Sequence, residues 1–126
     1  MDDKLRAAVL DRAKDGKLTC RDAFRVAAEL GVKPRAVGEM ADASDVHLAR
    51  CQLGLFGYED PNRIVVAADE VSPEMEQAIQ EGLVLGRLPC AVAWAIAARF
   101  GRAKLDVANA AEALGIRISQ CQLGAF

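Results

Sequence analysis

Apolar residues recur at helical spacing in three consecutive segments of the first half of the chain, over 3–14, 20–30 and 34–43. In the first segment these apolar positions are Leu5, Ala8, Val9 and Ala13. The residues that follow the third segment, VHLARCQL, are apolar and β-branched, as is typical of a strand. The pattern therefore predicts three helices followed by a strand.

The second half of the chain repeats the first at an offset of 70 positions, which places Gly16 over Gly86. Without a gap, LTCRDAFRVAAELG aligns with LPCAVAWAIAARFG, and RCQLGLF aligns with QCQLGAF. Chance does not produce this register, so the chain is a tandem duplication. The second copy accordingly predicts helices and then a strand, over 73–85, 90–100, 104–114 and 116–123.

Residues at the ends of the predicted helices are typical of helix caps. Thr19 with Asp22 three residues later resembles a capping box. Ser72 before Pro73 combines a capping side chain with a proline at the first helical position. Gly31, with its equivalent glycine in the second copy, ends the second helix where the chain must turn.

The first copy also predicts a β-hairpin. The turn-rich segment GYEDPN leads to RIVVAA (63–68), which has the composition of a second strand. The second copy, which stops at Phe126, has no such return strand, so its strand would pair elsewhere, for example in a small sheet shared by both copies. The predicted fold class is mainly α with a small β component, in two repeats: 1–70 with a hairpin and 71–126 with a single strand.

The segment RVAAELGVKPRAVGEM (25–40) and its counterpart AIAARFGRAKLDVANA (95–110) share a small residue, a turn glycine and a β-branched residue: Ala27, Gly31 and Val37, then Ala97, Gly101 and Val107. This pattern resembles the helix-turn-helix element of bacterial transcription regulators. With the helix before it and the strand or hairpin after it, each copy is similar to the winged-helix variant. The resemblance implies binding of double-stranded DNA, with the third helix in the major groove.

Charge supports this DNA-binding hypothesis only locally. The chain has 16 basic and 18 acidic residues, a net charge of −2, so no global positive field attracts nucleic acid. However, 17–38 and 87–108 each carry three more basic than acidic residues. The hypothesis assigns DNA contacts to Lys17, Arg21, Arg25, Lys33 and Arg35 in the first copy and to Arg99, Arg102, Lys104 and Asn109 in the second.

The same basic residues also suit the solvated faces of helices in a scaffold. The third helices are rich in Ala, Val, Gly and Leu, which is typical of helices that pack against a protein surface. An alternative function is therefore a non-enzymatic interaction or assembly module, in which the apolar CQLGLF edge recruits a protein partner or forms a homodimer.

Four cysteines form two equivalent pairs, Cys20 with Cys90 at the start of the second helix and Cys51 with Cys121 in the strand. A helix N-terminus stabilises a thiolate, so a second alternative is a thiol or metal sensor that uses all four. The sequence has no short C-x-x-C spacing, which favours cysteines that fill the core as small apolar residues. No cofactor is expected.

No catalytic constellation is present: the sequence lacks a Ser-His-Asp set, a phosphate-binding glycine loop and an HExxH motif. His47 is the only histidine, and its equivalent is Arg117, so the repeat does not preserve it as a base or ligand. We therefore expect a non-enzymatic protein. The charged N-terminus and the lack of a long apolar run predict a cytoplasmic protein that does not enter the membrane.

Overall fold

The computed structural model describes residues 2–59 and 61–126. Over these residues the chain is mainly helical with a small strand component, which confirms the predicted class at this level. The elements in chain order are α1 (Asp2–Arg12), β1 (Lys17–Thr19), α2 (Cys20–Leu30), α3 (Pro34–Ala43), β2 (His47–Ala49), α4 (Pro73–Glu81), β3 (Leu88–Pro89), α5 (Cys90–Phe100), α6 (Lys104–Ala113) and β4 (Ile118–Ser119).

The helix ends follow the capping signals of the sequence. Thr19 caps α2 by accepting a hydrogen bond from the Asp22 N–H (3.1 Å), and Ser72 caps α4 by accepting one from the Met75 N–H (3.2 Å). Gly31 ends α2 in the left-handed conformation, at φ +66°. Each cap satisfies a backbone group that the helix leaves without a partner, and its loss would cost about 1 kcal/mol.

The first helix of each copy is shorter than predicted. A two-residue turn follows α1, with Asp15 and Gly16 at positive φ between the paired residues Lys14 and Lys17. The second copy has the same turn after α4. Residues in the left-handed conformation cannot continue a right-handed helix, so α1 ends at Arg12 and α4 ends correspondingly early, at residue 81.

The predicted hairpin is wrong. β1 pairs in parallel with β2, with Leu18 opposite Leu48, and β3 pairs in parallel with β4, with Leu88 opposite Ile118. The partner of β2 is therefore β1, the strand in front of α2, and not the segment 63–68. Leu18 of β1 is fully buried. The segment 63–68 has no regular secondary structure. The expectation of one sheet shared by the copies is also wrong, because each strand pair lies within one copy.

The chain forms two compact units whose limits differ from those of the sequence repeats. Unit 1 extends to Cys51 and includes 56–62 and 122–125. Unit 2 comprises 52–55, 63–121 and Phe126. Each unit therefore contains the QLG segment of the other copy. The leucines of these segments are almost completely buried: Leu53 has 0% and Leu123 has 2% of its surface exposed.

The core of each unit is built from equivalent positions of the repeat. In unit 1 the buried apolar residues include Val9, Leu18, Val26, Val37 and Leu123, and in unit 2 they include Ile79, Leu88, Ile96, Val107 and Leu53. Burial of one such side chain contributes about 1.5–3 kcal/mol. No helix among the described residues has the length and apolar character needed to cross a bilayer.

Candidate functional site

Four of the five basic residues predicted to contact DNA in the first copy have no acidic partner among the residues that the structure describes. Within the described part of the chain, no carboxylate lies within 4.0 Å of these four side chains, and all of them are exposed: Lys17, Arg21, Arg25 and Lys33. Arg21 and Arg25 are one turn apart on α2 and share a face. We call these four residues the basic face of unit 1.

The two carboxylates of α2, from Asp22 and Glu29, are contacted by Arg12 of α1. Arg12 of α1 forms an ion pair with Glu29 (2.5 Å) and lies 4.0 Å from a carboxylate oxygen of Asp22. Both acids of the helix are therefore partly neutralised on its α1 side. Among the described residues, neither Arg21 nor Arg25 lies within 4.0 Å of a carboxylate of its own helix.

The outer face of α3 has a different character. Arg35 forms an exposed i,i+4 ion pair with Glu39 (3.5 Å), and Asp42 is exposed one turn further on. The opposite face buries Val37 together with Gly38. The helix that the resemblance places in the major groove thus presents two carboxylates to solvent, and carboxylates are repelled by phosphate.

In the second copy, each predicted DNA-binding residue contacts another group of unit 2. Three of the four make side-chain contacts: Arg99 lies over the Phe100 ring (5.3 Å to the centroid), Arg102 pairs with Asp106 (3.2 Å), and Lys104 lies over the Trp94 ring (4.5 Å). The fourth, Asn109, holds a segment of main chain. The structure therefore distinguishes the two copies, for which the sequence predicts the same role.

Residues 63–68, which we call the strap, lie along α6 in unit 2. The Val66 N–H donates to Asn109 Oδ1 (2.9 Å), and the Ala68 N–H donates to the Asn109 carbonyl oxygen (3.0 Å). The Ile64 N–H donates to the Gly54 carbonyl oxygen (2.9 Å). Alternate N–H groups of an extended segment are thus bound along one edge, as in a peptide docked on a receptor.

Side chains fix the register of the strap. Arg63 forms an ion pair with Glu112 of α6. Gly54, whose carbonyl accepts from Ile64, has φ +82°, and a Cβ there would lie 2.6 Å from Leu105 Cδ1 and 2.9 Å from Ile64 Cγ1, so a side chain at this position would be strained. Sequence reasoning missed this site. The available signal was an asparagine in the middle of α6, where its amide can reach outward to a main chain.

Three of the four cysteines, Cys20, Cys51 and Cys90, are buried, and Cys121 is half-buried. Across residues 2–59 and 61–126, no group of three or more His, Cys, Asp or Glu side chains is placed to hold a metal ion.

Cys20 and Cys51 lie close to one phenol. The Tyr58 hydroxyl donates to the Cys51 carbonyl oxygen (2.8 Å), and the Arg50 guanidinium lies over the Tyr58 ring (5.5 Å). Burial raises the pKa of Tyr58 above its ordinary value, and the nearby Cys51 and Cys20 thiols raise it further, while Arg50 opposes them. Tyr58 therefore stays protonated as a donor at neutral pH.

Comparison with known proteins gives no match: no family model, curated protein or solved structure is similar to this chain.

Proposed function

We propose that this protein binds duplex DNA through phosphate contacts made by unit 1. The observation that carries the proposal is the basic face, whose four exposed cations have no acidic partner among the described residues. Such cations gain free energy from DNA by releasing the counterions that surround the phosphates. The residues predicted to contact DNA in the second copy are already in contact with groups of their own unit.

The amino end of α3 adds a second kind of phosphate contact. Lys33 is the N-cap of α3, its side chain makes no capping hydrogen bond, and Pro34 follows at the first helical position. Backbone N–H groups and the helix dipole at such an end favour an anion. In the proposed complex the contacts lie at the amino end of the third helix instead of along it.

Base readout is not part of the proposal. The outer face of α3 carries Glu39 and Asp42, which would be repelled by the phosphates that line a groove. Binding therefore depends weakly on DNA sequence. With four phosphate contacts, the logarithm of the affinity should fall with the logarithm of salt concentration with a slope of about −3.6.

The test measures fluorescence anisotropy of a labelled random duplex across a salt series that starts at about 50 mM, where phosphate contacts are still strong. The variant R21Q/R25Q/K33Q removes three charges of the basic face. We expect it to lose most of the affinity and to reduce the salt slope by about 2.7, since three contacts are removed.

The matched control, R87Q/R99Q/R117Q, removes the same charge from exposed positions of unit 2. It should bind DNA nearly as well as the natural chain. An equal loss in both variants would mean that only net charge matters and would contradict a site on unit 1. Absence of binding by the natural chain at the lowest salt concentration would reject the function itself.

A further inference from the structure

The acceptors that hold the strap on α6 have counterparts in unit 1. The strap is held by the Gly54 carbonyl, by the side chain and carbonyl of Asn109, and by the Glu112 carboxylate. The 70-residue offset matches these three residues to Gly124, Glu39 and Asp42, in that order. All three counterparts belong to unit 1, because 122–125 lies in that unit. Unit 1 therefore contains acceptors at the equivalent positions, two on its third helix and one in the segment 122–125.

Packing of the QLG segment supports this correspondence. A Cβ on Gly124 would lie 3.8 Å from Arg35 Cγ, just as one on Gly54 would contact the Leu105 side chain, and Arg35 and Leu105 are equivalent positions. A Cβ on Gly38 of α3 would lie only 1.8 Å from the Leu123 carbonyl oxygen, so the segment 122–125 lies directly on this helix. We call the surface formed by Gly124, Glu39 and Asp42 the α3 dock.

We call the equivalent surface of unit 2, formed by Gly54, Asn109 and Glu112, the α6 dock, and the two docks differ in what covers them. Gly54 is buried beneath the strap, whereas Gly124 is exposed, and Glu39 is exposed where Asn109 is half-buried. Among the hydrogen bonds of the described residues, none is donated to the Gly124 carbonyl oxygen. The Glu39 carboxylate contacts Arg35, in an exposed pair of a kind that contributes little and opens readily.

We propose that the α3 dock binds an extended segment of another protein, in which a basic residue precedes a short apolar run. The strap supplies the template, since Arg63 precedes Ile64, Val65 and Val66. The basic residue would pair with Asp42 as Arg63 pairs with Glu112, and a main-chain N–H would donate to Glu39 as Val66 donates to Asn109. A charged acceptor makes the stronger hydrogen bond.

Charge complementarity selects the partner. The α3 dock has the carboxylates of Glu39 and Asp42 beside the guanidinium of Arg35, which pairs with Glu39. Among the described residues no basic group lies within 4.0 Å of the Asp42 carboxylate, so Asp42 can pair with a basic residue of the segment as Glu112 pairs with Arg63. The inference is independent of DNA binding, because these carboxylates lie outside the basic face.

The probe is a synthetic peptide with the sequence of residues 62–68, acetylated and amidated so that the arginine carries its only charge. It is titrated into the isotopically labelled full chain while backbone amide shifts are recorded. We expect saturable shifts in 34–43 and 122–125. Shifts confined to α6 would mean that the peptide displaces the strap, and that outcome would overturn the proposal, as would no shifts at all.

The chain variant E39K/D42K tests the charges, and D3K/D11K, at exposed positions of α1, is its matched control. We expect E39K/D42K to weaken peptide binding at least about tenfold, and D3K/D11K to leave it within about twofold, as for charges at and away from an interface. Equal effects would overturn the site. Circular dichroism checks that both variants stay folded.

Two further measurements test the mode of binding and the occupant. A peptide with an N-methyl group at the position of Val66 keeps its side chains but loses one donor, and it should bind at least about fivefold more weakly, as expected for a lost hydrogen bond. Equal binding would overturn the edge-on mode. Mass in solution identifies the occupant: a dimer abolished by E39K/D42K would show that it is a second copy, and would overturn the assignment to another protein.

Discussion

At the tip of the turn after α4, Leu85 has an exposed apolar side chain on a left-handed backbone. Its φ is +53°, the same as that of Asp15, its equivalent in the first copy. Aspartate and asparagine tolerate this conformation, whereas a bulky apolar residue is disfavoured there. Leu85 is 99% exposed, so burial does not offset the strain. The fold of unit 2 therefore gives no reason for a leucine at this tip.

The substitution Leu85→Asn should stabilise the protein by about 0.5–1 kcal/mol, because asparagine adopts positive φ with less strain. The reciprocal substitution, Asp15→Leu, should destabilise unit 1 by a similar amount. Urea denaturation of both variants measures the two changes. A loss of stability in Leu85→Asn would mean that the leucine makes a stabilising contact, and strain would then not be its main effect.

Among the elements, the strap shows how an extended segment can be held by a helix. One asparagine supplies two acceptors on α6, its side-chain oxygen for Val66 and its carbonyl oxygen for Ala68. The exposed ion pair of Arg63 with Glu112 helps to fix the register of the strap on α6 but contributes little to the free energy of folding. Asn109 is therefore the residue on which the position of the strap depends most.

The substitution Asn109→Ala should release the middle of the strap and leave α6 intact, since alanine favours a helix. We expect amide exchange at Val66 to become about tenfold faster, as for the loss of one hydrogen bond. Glu39→Ala, at the equivalent position of α3, is the control and should leave exchange at Val66 unchanged. Slow exchange at Val66 in Asn109→Ala would show that other contacts hold the strap.

Helices α2 and α5 could be predicted with their bounds, because helical periodicity, Thr19 and the terminal glycines all mark the same residues. The hairpin could not, since an apolar, β-branched run such as 63–68 is suited to any extended conformation. The sequence pattern does not state whether its N–H groups are bound by a strand or by a helix. Composition alone therefore could not show that 63–68 binds to Asn109 of α6 and does not form a strand.

The candidate basic face was predictable in part. Lys17, Arg21 and Arg25 were identified from local charge, which the sequence shows directly. Which cations lack partners was not predictable, because the ion pairs of Arg12 with Glu29 and of Arg63 with Glu112 join residues far apart in sequence. In the second copy the contacts of the predicted residues are more local, such as the ion pair of Arg102 with Asp106 four residues later.

At the scale of the whole molecule, the main feature is that each compact unit contains a segment of the other copy. The repeat places the QLG segment at the end of its own copy, and nothing in its local pattern names the helix on which it packs. Gly38 is the residue in the sequence that this packing requires, because a side chain there would collide with the Leu123 carbonyl oxygen. The stability of unit 1 should therefore depend on 122–125.

The substitution Leu123→Ala tests this dependence. Leu123 is 2% exposed and belongs to unit 1, so its truncation leaves a cavity and should lower the stability of that unit by about 2–5 kcal/mol. Residue-resolved amide exchange measures each unit separately, and we expect protection to fall in α1, α2 and α3 while it persists in α5.

Leu10→Ala is the matched control, since it removes the same atoms from a position in unit 1 that is 51% exposed. It should change the free energy of unfolding by less than about 1 kcal/mol. If Leu123→Ala instead reduced protection in α5 as strongly as in α2, the two units would unfold together. The segment 122–125 would then stabilise the whole chain, and the first copy could not be treated as a separately destabilised unit.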